Sequence, residues 1–143
     1  MSDTMIQFTV EGDPVAQGRP RFTKNGHAYD PAKSRAYKEL VALRAREAMA
    51  GRGPMPRGTA AYCIIEVRCR MPQRFTKRQR EDARLERLLP TKKPDADNIA
   101  KAIMDGMAGI VYEDDAQVAR VSCRKRYGEE PGVYVVAGKI GEG

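Results

Sequence analysis

The chain has 143 residues, 41% hydrophobic and 31% charged, which suits one globular domain and argues against wholesale disorder, while a second core would leave each half too small to stand unaided. No apolar run approaches the roughly 20 residues that span a bilayer, and residues 1–10 lack the basic start and apolar core of a signal peptide, so a cytoplasmic protein with no membrane partner is expected. Lys and Arg number 26 against 19 Asp and Glu, a net charge of +7, a balance that suits a polyanion whose phosphates these side chains neutralise.

In chain order, Ile6, Phe8 and Val10 alternate with Gln7, Thr9 and Glu11, the pattern of a half-buried strand, and Gly12-Asp13-Pro14 ends it. Residues 15–27 read as an extended basic loop containing Gly18-Arg19-Pro20-Arg21, with His27 on the surface of a turn-like stretch. Asp30 is placed to cap a helix with Pro31 at its first position. Tyr37, Leu40, Val41, Arg44 and Ala48 share one side of that helix, and Gly51 ends it. A Gly- and Pro-rich loop over 51–58 leads to the clearest strand, 59–70, with Cys63, Ile65, Val67 and Cys69 on one face.

Residues 76–89 hold strong helix formers and dense charge, which predicts an exposed helix closed by Pro90 and followed by a basic loop, Thr91-Lys92-Lys93-Pro94. The next helix starts at Asp97 or Asn98 and ends near Gly109, with Ile99, Ala102, Ile103 and Met107 as its apolar face. After an acidic turn, 118–127 reads as a strand with Ala119, Val121 and Cys123 on one face, and 133–140 as the last strand. These last two are expected to pair as a hairpin. The predicted architecture is a single α+β domain over 1–143, a mixed β-sheet packed by helices.

Three cysteines, Cys63, Cys69 and Cys123, with no CxxC pair and one histidine, exclude a disulfide framework and a Cys/His zinc site. Candidate chemistry lies instead in two acidic groups, Asp95-Ala96-Asp97 and Glu113-Asp114-Asp115, on either side of one predicted helix. Hard carboxylate oxygens suit Mg²⁺ or Mn²⁺, and carboxylates at a phosphate surface need a cation between them. An extended Asp95-Ala96-Asp97 would point both carboxylates to one side. Asp97, Lys101 and Asp105 follow at i, i+4 and i+8 along one helical stripe, where Lys101 is placed to act on a phosphate. The plain alternative is equally physical: Asp residues cap helices, acidic turns are solvated, and a Lys between two Asp is a surface ion pair.

Lys93-Pro94-Asp95-Ala96-Asp97-Asn98-Ile99, Lys101, Asp105-Gly106, Tyr112-Glu113-Asp114-Asp115-Ala116-Gln117-Val118 and Lys125-Arg126-Tyr127 occur in that order. Together with Gly18-Arg19-Pro20-Arg21-Phe22, this series resembles the signature of RusA-type Holliday-junction resolvases. The resemblance runs through most of the chain. It implies a homodimeric, Mg²⁺-dependent endonuclease, with Mn²⁺ as a possible substitute, that nicks four-way DNA junctions symmetrically in recombination and repair. Carried over residue by residue, it implies Asp95, Asp97 and Asp115 as metal-holding catalytic carboxylates, Lys101 as the catalytic lysine and Asp114 as an accessory acid. Arg19, Arg21, Lys92, Lys93 and Lys125 become the DNA contacts, and the charged 74–87 segment reads as a solvated helix or as a further contact. Two rival readings stand beside it: a non-catalytic branched-DNA-binding protein, and a metal-dependent phosphohydrolase of small substrates.

Overall fold

A computed structural model describes residues 5–17 and 31–141. Arg19, Arg21, His27 and the Asp30 cap lie outside them. Among the described residues the order is β1 (Met5–Glu11), α1 (Pro31–Met49), β2 (Ala61–Arg70), α2 (Lys77–Arg84), α3 (Ala96–Met107), a 3-10 turn (Asp115–Gln117), β3 (Val118–Gly128) and β4 (Gly132–Lys139). They form a single α+β domain with one four-stranded sheet in the order β1-β4-β2-β3, in which β2 and β3 are parallel and the other pairs antiparallel. No helix among them is long and apolar enough to cross a membrane.

The predicted elements are present, but the hairpin is not. β4 lies between β1 and β2, whereas β3 pairs only with the far side of β2. Side-chain chemistry explains the exchange. β4 carries Val133, Val135 and Ala137, all fully buried, and suits the sheet interior. β3 carries Arg120, Arg124, Lys125 and Arg126, and such charge belongs on an edge, where it also deters pairing with another chain. The predicted apolar face of β3 is correspondingly weak: Ala119 is exposed, Val121 is 52% exposed and Cys123 is half-buried.

The alternation in β1 and β2 does what the sequence predicts. Ile6, Phe8 and Val10 face the same core as Cys63, Ile65 and Val67, while Cys69 is half-buried near the strand end. The three cysteines are free. Burial pushes the Cys63 thiol up to about 12 and the Cys123 thiol up to about 11, so neither is a ready nucleophile. On α1 the buried stripe is Ser34, Tyr37, Val41, Ala45 and Met49, with Leu40, Arg44 and Ala48 only half-buried at its margin. The stripe is therefore rotated from the expected one, with Ala45 inside it and Leu40, Arg44 and Ala48 at its edge.

Helix α2 is shorter than predicted. Thr76 caps it through a reciprocal capping box with Gln79 (Gln79 N to Thr76 Oγ1 3.1 Å, Thr76 N to Gln79 Oε1 2.8 Å). It ends at Arg84, where Glu86 adopts φ 61° and the amides of Arg87 and Leu88 both turn back to the Asp82 carbonyl. The crossover through α2 and α3 is what makes β2 and β3 parallel, and it carries α3 across the sheet beside α1.

Candidate functional site

Helix α3 starts one residue earlier than predicted. Asp95 is its N-cap residue in extended conformation, and Asp97 already lies in the first helical turn. The expected extended Asp95-Ala96-Asp97 segment is thus corrected: the two carboxylates do not share a side by strand alternation. Asp95 makes no side-chain capping bond, so its exposed carboxylate is not spent on the helix. Both negative charges sit at the positive end of the helix dipole, where they are favoured. Ile99, Ala100, Ala102, Ile103, Gly106 and Met107 are buried and fix which stripe of α3 faces outward.

That outward stripe carries Lys101 and Asp105, 3.4 Å apart. The acidic turn then returns to it, so that Lys101 Nζ also lies 3.4 Å from Asp115 Oδ2. Asp105 in turn receives Lys38 of α1 at 3.9 Å. Asp105 and Asp115 face each other at hydrogen-bonding range, and this contact, with partial burial, pushes the Asp115 carboxyl above its ordinary value against the pull of Lys101. The two carboxylates, Asp105 first, hold the Lys101 ammonium above its own ordinary value. The acidic turn thus meets α3 through Lys101 and Asp105. Asp105 entered the sequence reading as part of the helical stripe and of the family-like series, with no role of its own, and its i+4 spacing from Lys101 is the signal that could have promoted it.

The turn is built by Tyr112 and Gln117. Tyr112 is fully buried, and its hydroxyl donates to the Met104 carbonyl at 2.7 Å, tying the turn to α3. The Gln117 amide oxygen accepts from the Glu113 and Asp114 amides at 2.9 and 3.0 Å. Its Nε2 donates to the carbonyls of Pro56 and Thr59 at 2.9 and 3.0 Å and reaches that of Met55 at 3.3 Å. Asp114 is occupied locally: it accepts from the Ala116 amide at 3.0 Å and pairs with Arg57 at 3.4 Å, contacts that hold it below the usual carboxylate range. Arg57 also donates its backbone amide to Glu113 at 3.1 Å. Neither Tyr112 nor Gln117 was singled out individually as a builder of the site; a buried tyrosine and a multiply bonded amide leave no periodic trace.

Lys92 and Lys93 are exposed in the loop that leads into α3. Lys125, expected on DNA, donates to the carbonyls of Lys92 at 2.7 Å and Pro94 at 2.9 Å. In the 74–87 segment, Arg84 pairs with Glu129 at 3.0 Å and Arg126 with Glu86 at 3.2 Å, so much of that charge is balanced at the surface.

The donor chemistry is right for a hard divalent cation, since every candidate offers carboxylate oxygen. Among the described residues, however, no three Asp, Glu, His or Cys side chains stand close enough together to hold a metal ion. Lys101 occupies the space between Asp105 and Asp115, while Asp95 and Asp97 remain at the other end of the same helix.

A protein of Bacillus subtilis (strain 168) described as "Uncharacterized protein YqaN" is 40% identical over 143 aligned positions, which cover 94% of this chain and 96% of that protein. Residues 11–137, which include β1's last residue, all three helices, the acidic turn and most of β4, match the family described as endodeoxyribonuclease RusA. A match of that extent, carried through the very elements that bring Lys101 to Asp115, shows that the chain belongs to the RusA endodeoxyribonuclease family.

Proposed function

We propose that this protein is a structure-selective endodeoxyribonuclease that resolves four-way DNA junctions by paired nicks in recombination and repair. The observation that carries the reading is the return of the Asp115 turn to the α3 stripe, with Lys101 held between Asp105 and Asp115 in a chain of this family. Asp95, Asp97 and Asp115 would hold Mg²⁺, or Mn²⁺ in its place, which supplies Lewis-acid polarisation of the scissile phosphate and a more acidic water.

The protein's own groups do the rest. Lys101, fixed by two carboxylates, offers a preorganised positive charge for the phosphate under attack, where negative charge redistributes in the transition state. Lys92 and Lys93 present charge beside the start of α3, and Arg19 and Arg21 supply further phosphate contacts; such contacts position the duplex without reading its sequence. A two-fold homodimer would set two such sites on opposed strands of a two-fold symmetric junction. The protein would act in the cytoplasm on branched DNA.

The test is cleavage of a four-way junction beside a linear duplex of the same sequence, with and without Mg²⁺. Paired nicks in the junction that require Mg²⁺ are expected. Tight junction binding with no cutting at any metal concentration would sink the enzymatic reading in favour of a binding protein. Activity confined to small phosphodiesters would assign it to another hydrolase class.

A further inference from the structure

The edge strand β3 places Lys125 opposite Val67 of β2, near enough to Cys69 and Cys123 for its charge to act on both thiols. Its ammonium does not end in solvent. It donates to Lys92 O at 2.7 Å and to Pro94 O at 2.9 Å, the two carbonyls that bracket Lys93 immediately before Asp95. Asp95 then opens α3 without any capping bond of its own side chain. The approach to α3 is also met from the other side, where the Gln17 amide donates to the Asn98 carbonyl at 3.0 Å.

We propose that Lys125 is a positioning residue: its ammonium clamps the 92–94 loop to the sheet and so fixes the direction in which Asp95 and Asp97 leave it. The assignment rests on the nuclease reading above for its catalytic consequence, but not for the clamp. Three features support it. Two short charge-assisted bonds to backbone carbonyls hold a segment that is otherwise an exposed loop between two helices. The clamp is rooted in a paired strand, whose position is set by ten residues of β2 rather than by the loop itself. Lysine suits the task because its long stem lies along half-buried sheet while its head reaches the polar backbone. A phosphate contact, by contrast, needs the ammonium turned outward, and two of its three donors already face carbonyls.

Lys125→Met keeps the stem and deletes the clamp, and Lys125→Arg keeps donors for the same carbonyls. Three measurements separate the roles. Hydrogen exchange at the amides of residues 99–102, the first of α3 to donate within the helix, read on the metal-free protein, should accelerate in Lys125→Met and return toward wild type in Lys125→Arg. The Mg²⁺ concentration needed for half-maximal single-turnover cleavage should rise about 10–100-fold in Lys125→Met, the range typical when a group supporting metal ligands is removed. The slope of junction affinity against salt, measured without metal, should be unchanged. A slope reduced by about one unit with a normal saturated rate would make Lys125 a phosphate contact and overturn the proposal. Unchanged exchange at 99–102 in a folded Lys125→Met protein would overturn it as well. If Lys125→Met fails to fold, Lys125→Arg carries the test, and loss of the exchange protection despite its donors counts against the clamp. Should the wild type cut no junction at all, the nuclease reading falls while the exchange result still decides the clamp.

Discussion

Asp95 and Asp97 stand at the head of a helix whose underside includes Ile99, Ala102, Ile103 and Met107, all buried, whereas Asp114 and Asp115 stand at a 3-10 turn, Asp115–Gln117, that buries none of its own residues. The first segment inherits its position from hydrophobic burial, which is strong and not directional. The second is placed by directed bonds, chiefly those of Gln117 and the ion pairs of Arg57. A site assembled across such a boundary fails in two ways. Removing a carboxylate ends the chemistry with little effect on folding, and loosening the turn shifts one half of the site relative to the other.

The largest expected effects come from the carboxylates themselves. Asp95→Asn, Asp97→Asn and Asp115→Asn should each abolish Mg²⁺-dependent junction cleavage while leaving junction binding intact or tighter, since a repulsive charge next to phosphate is lost and shape is kept. Equal losses from both segments would show that the helix head and the turn serve one centre. Near-normal cutting by any one variant removes that residue from the proposed metal site.

Next comes the hub of the turn. Gln117→Leu removes an amide that bonds the Glu113 and Asp114 amides on one side and the 55–59 loop on the other. At about 0.5–1.5 kcal/mol per net hydrogen bond, and with part of the loss made up by water, a cost of roughly 2–4 kcal/mol follows. Urea unfolding reads that cost, and single-turnover cleavage should fall at the same time because Asp115 is no longer held against Lys101. A variant with normal stability and normal cleavage would show that the turn is positioned by Tyr112 alone.

How much of this was legible in advance depends on whether the determinant is local. Period-two alternation in 5–11 and 61–70 and the apolar stripe of 99, 103 and 107 are written in neighbouring residues, and those elements appear where the pattern puts them. The order of the sheet is not local. Adjacency in sequence suggested a hairpin for the last two strands, but β4's fully buried valines and β3's arginines sort them into centre and edge. In the site, the motif residues of 95–101 and 113–117 were visible, yet Asp105 gains its significance only when a distant turn sets Asp115 beside it. The contacts of Lys125 were not legible for a related reason. Its partners are backbone carbonyls, which every residue carries, so no sequence pattern announces them.

The seating of the buried segment has its own weak point at Gly106. A Cβ there would lie 2.6 Å from Val41 Cγ1, 2.7 Å from Val41 Cβ and 3.1 Å from the Lys38 carbonyl, so α3 and α1 approach closely only because the side chain is absent. Gly106→Ala gains up to about 1 kcal/mol of helix propensity but must push apart a stiff β-branched residue and a backbone carbonyl. A net loss of about 1–3 kcal/mol is expected, as for other overpacked cores. Val41→Ala deletes the nearer obstructing atom, so the double variant should recover part of the loss in a double-mutant cycle. Strict additivity of the two changes would mean that α3 is not seated against Val41.

The smallest effect concerns the ion pair that ties α1 to β1, on the far side of the helix layer from the acidic turn. Arg44 grips Glu11 through two bonds, Nε to Oε1 at 3.0 Å and an η nitrogen to Oε2 at 2.9 Å. The Arg44 bonds, with that of Glu11's own backbone amide, lower the Glu11 carboxyl from 4.5 to about 2. Glu11 is open to solvent and Arg44 only half-buried, so the gain is modest and screened by salt. Its pH dependence has a definite sign. A carboxyl whose folded pKa is depressed binds its proton more readily in the unfolded chain, so its stabilisation is complete above about pH 4.5 and disappears as pH falls toward about 2. Glu11→Gln should therefore be slightly less stable than wild type at pH 7, and the gap should narrow steadily below pH 4.5. Parallel urea titrations at pH 7, 4 and 3 in low salt, repeated in high salt, measure it. A gap that persists unchanged at pH 3 would assign the contribution of Glu11 to packing at the strand end rather than to its charge.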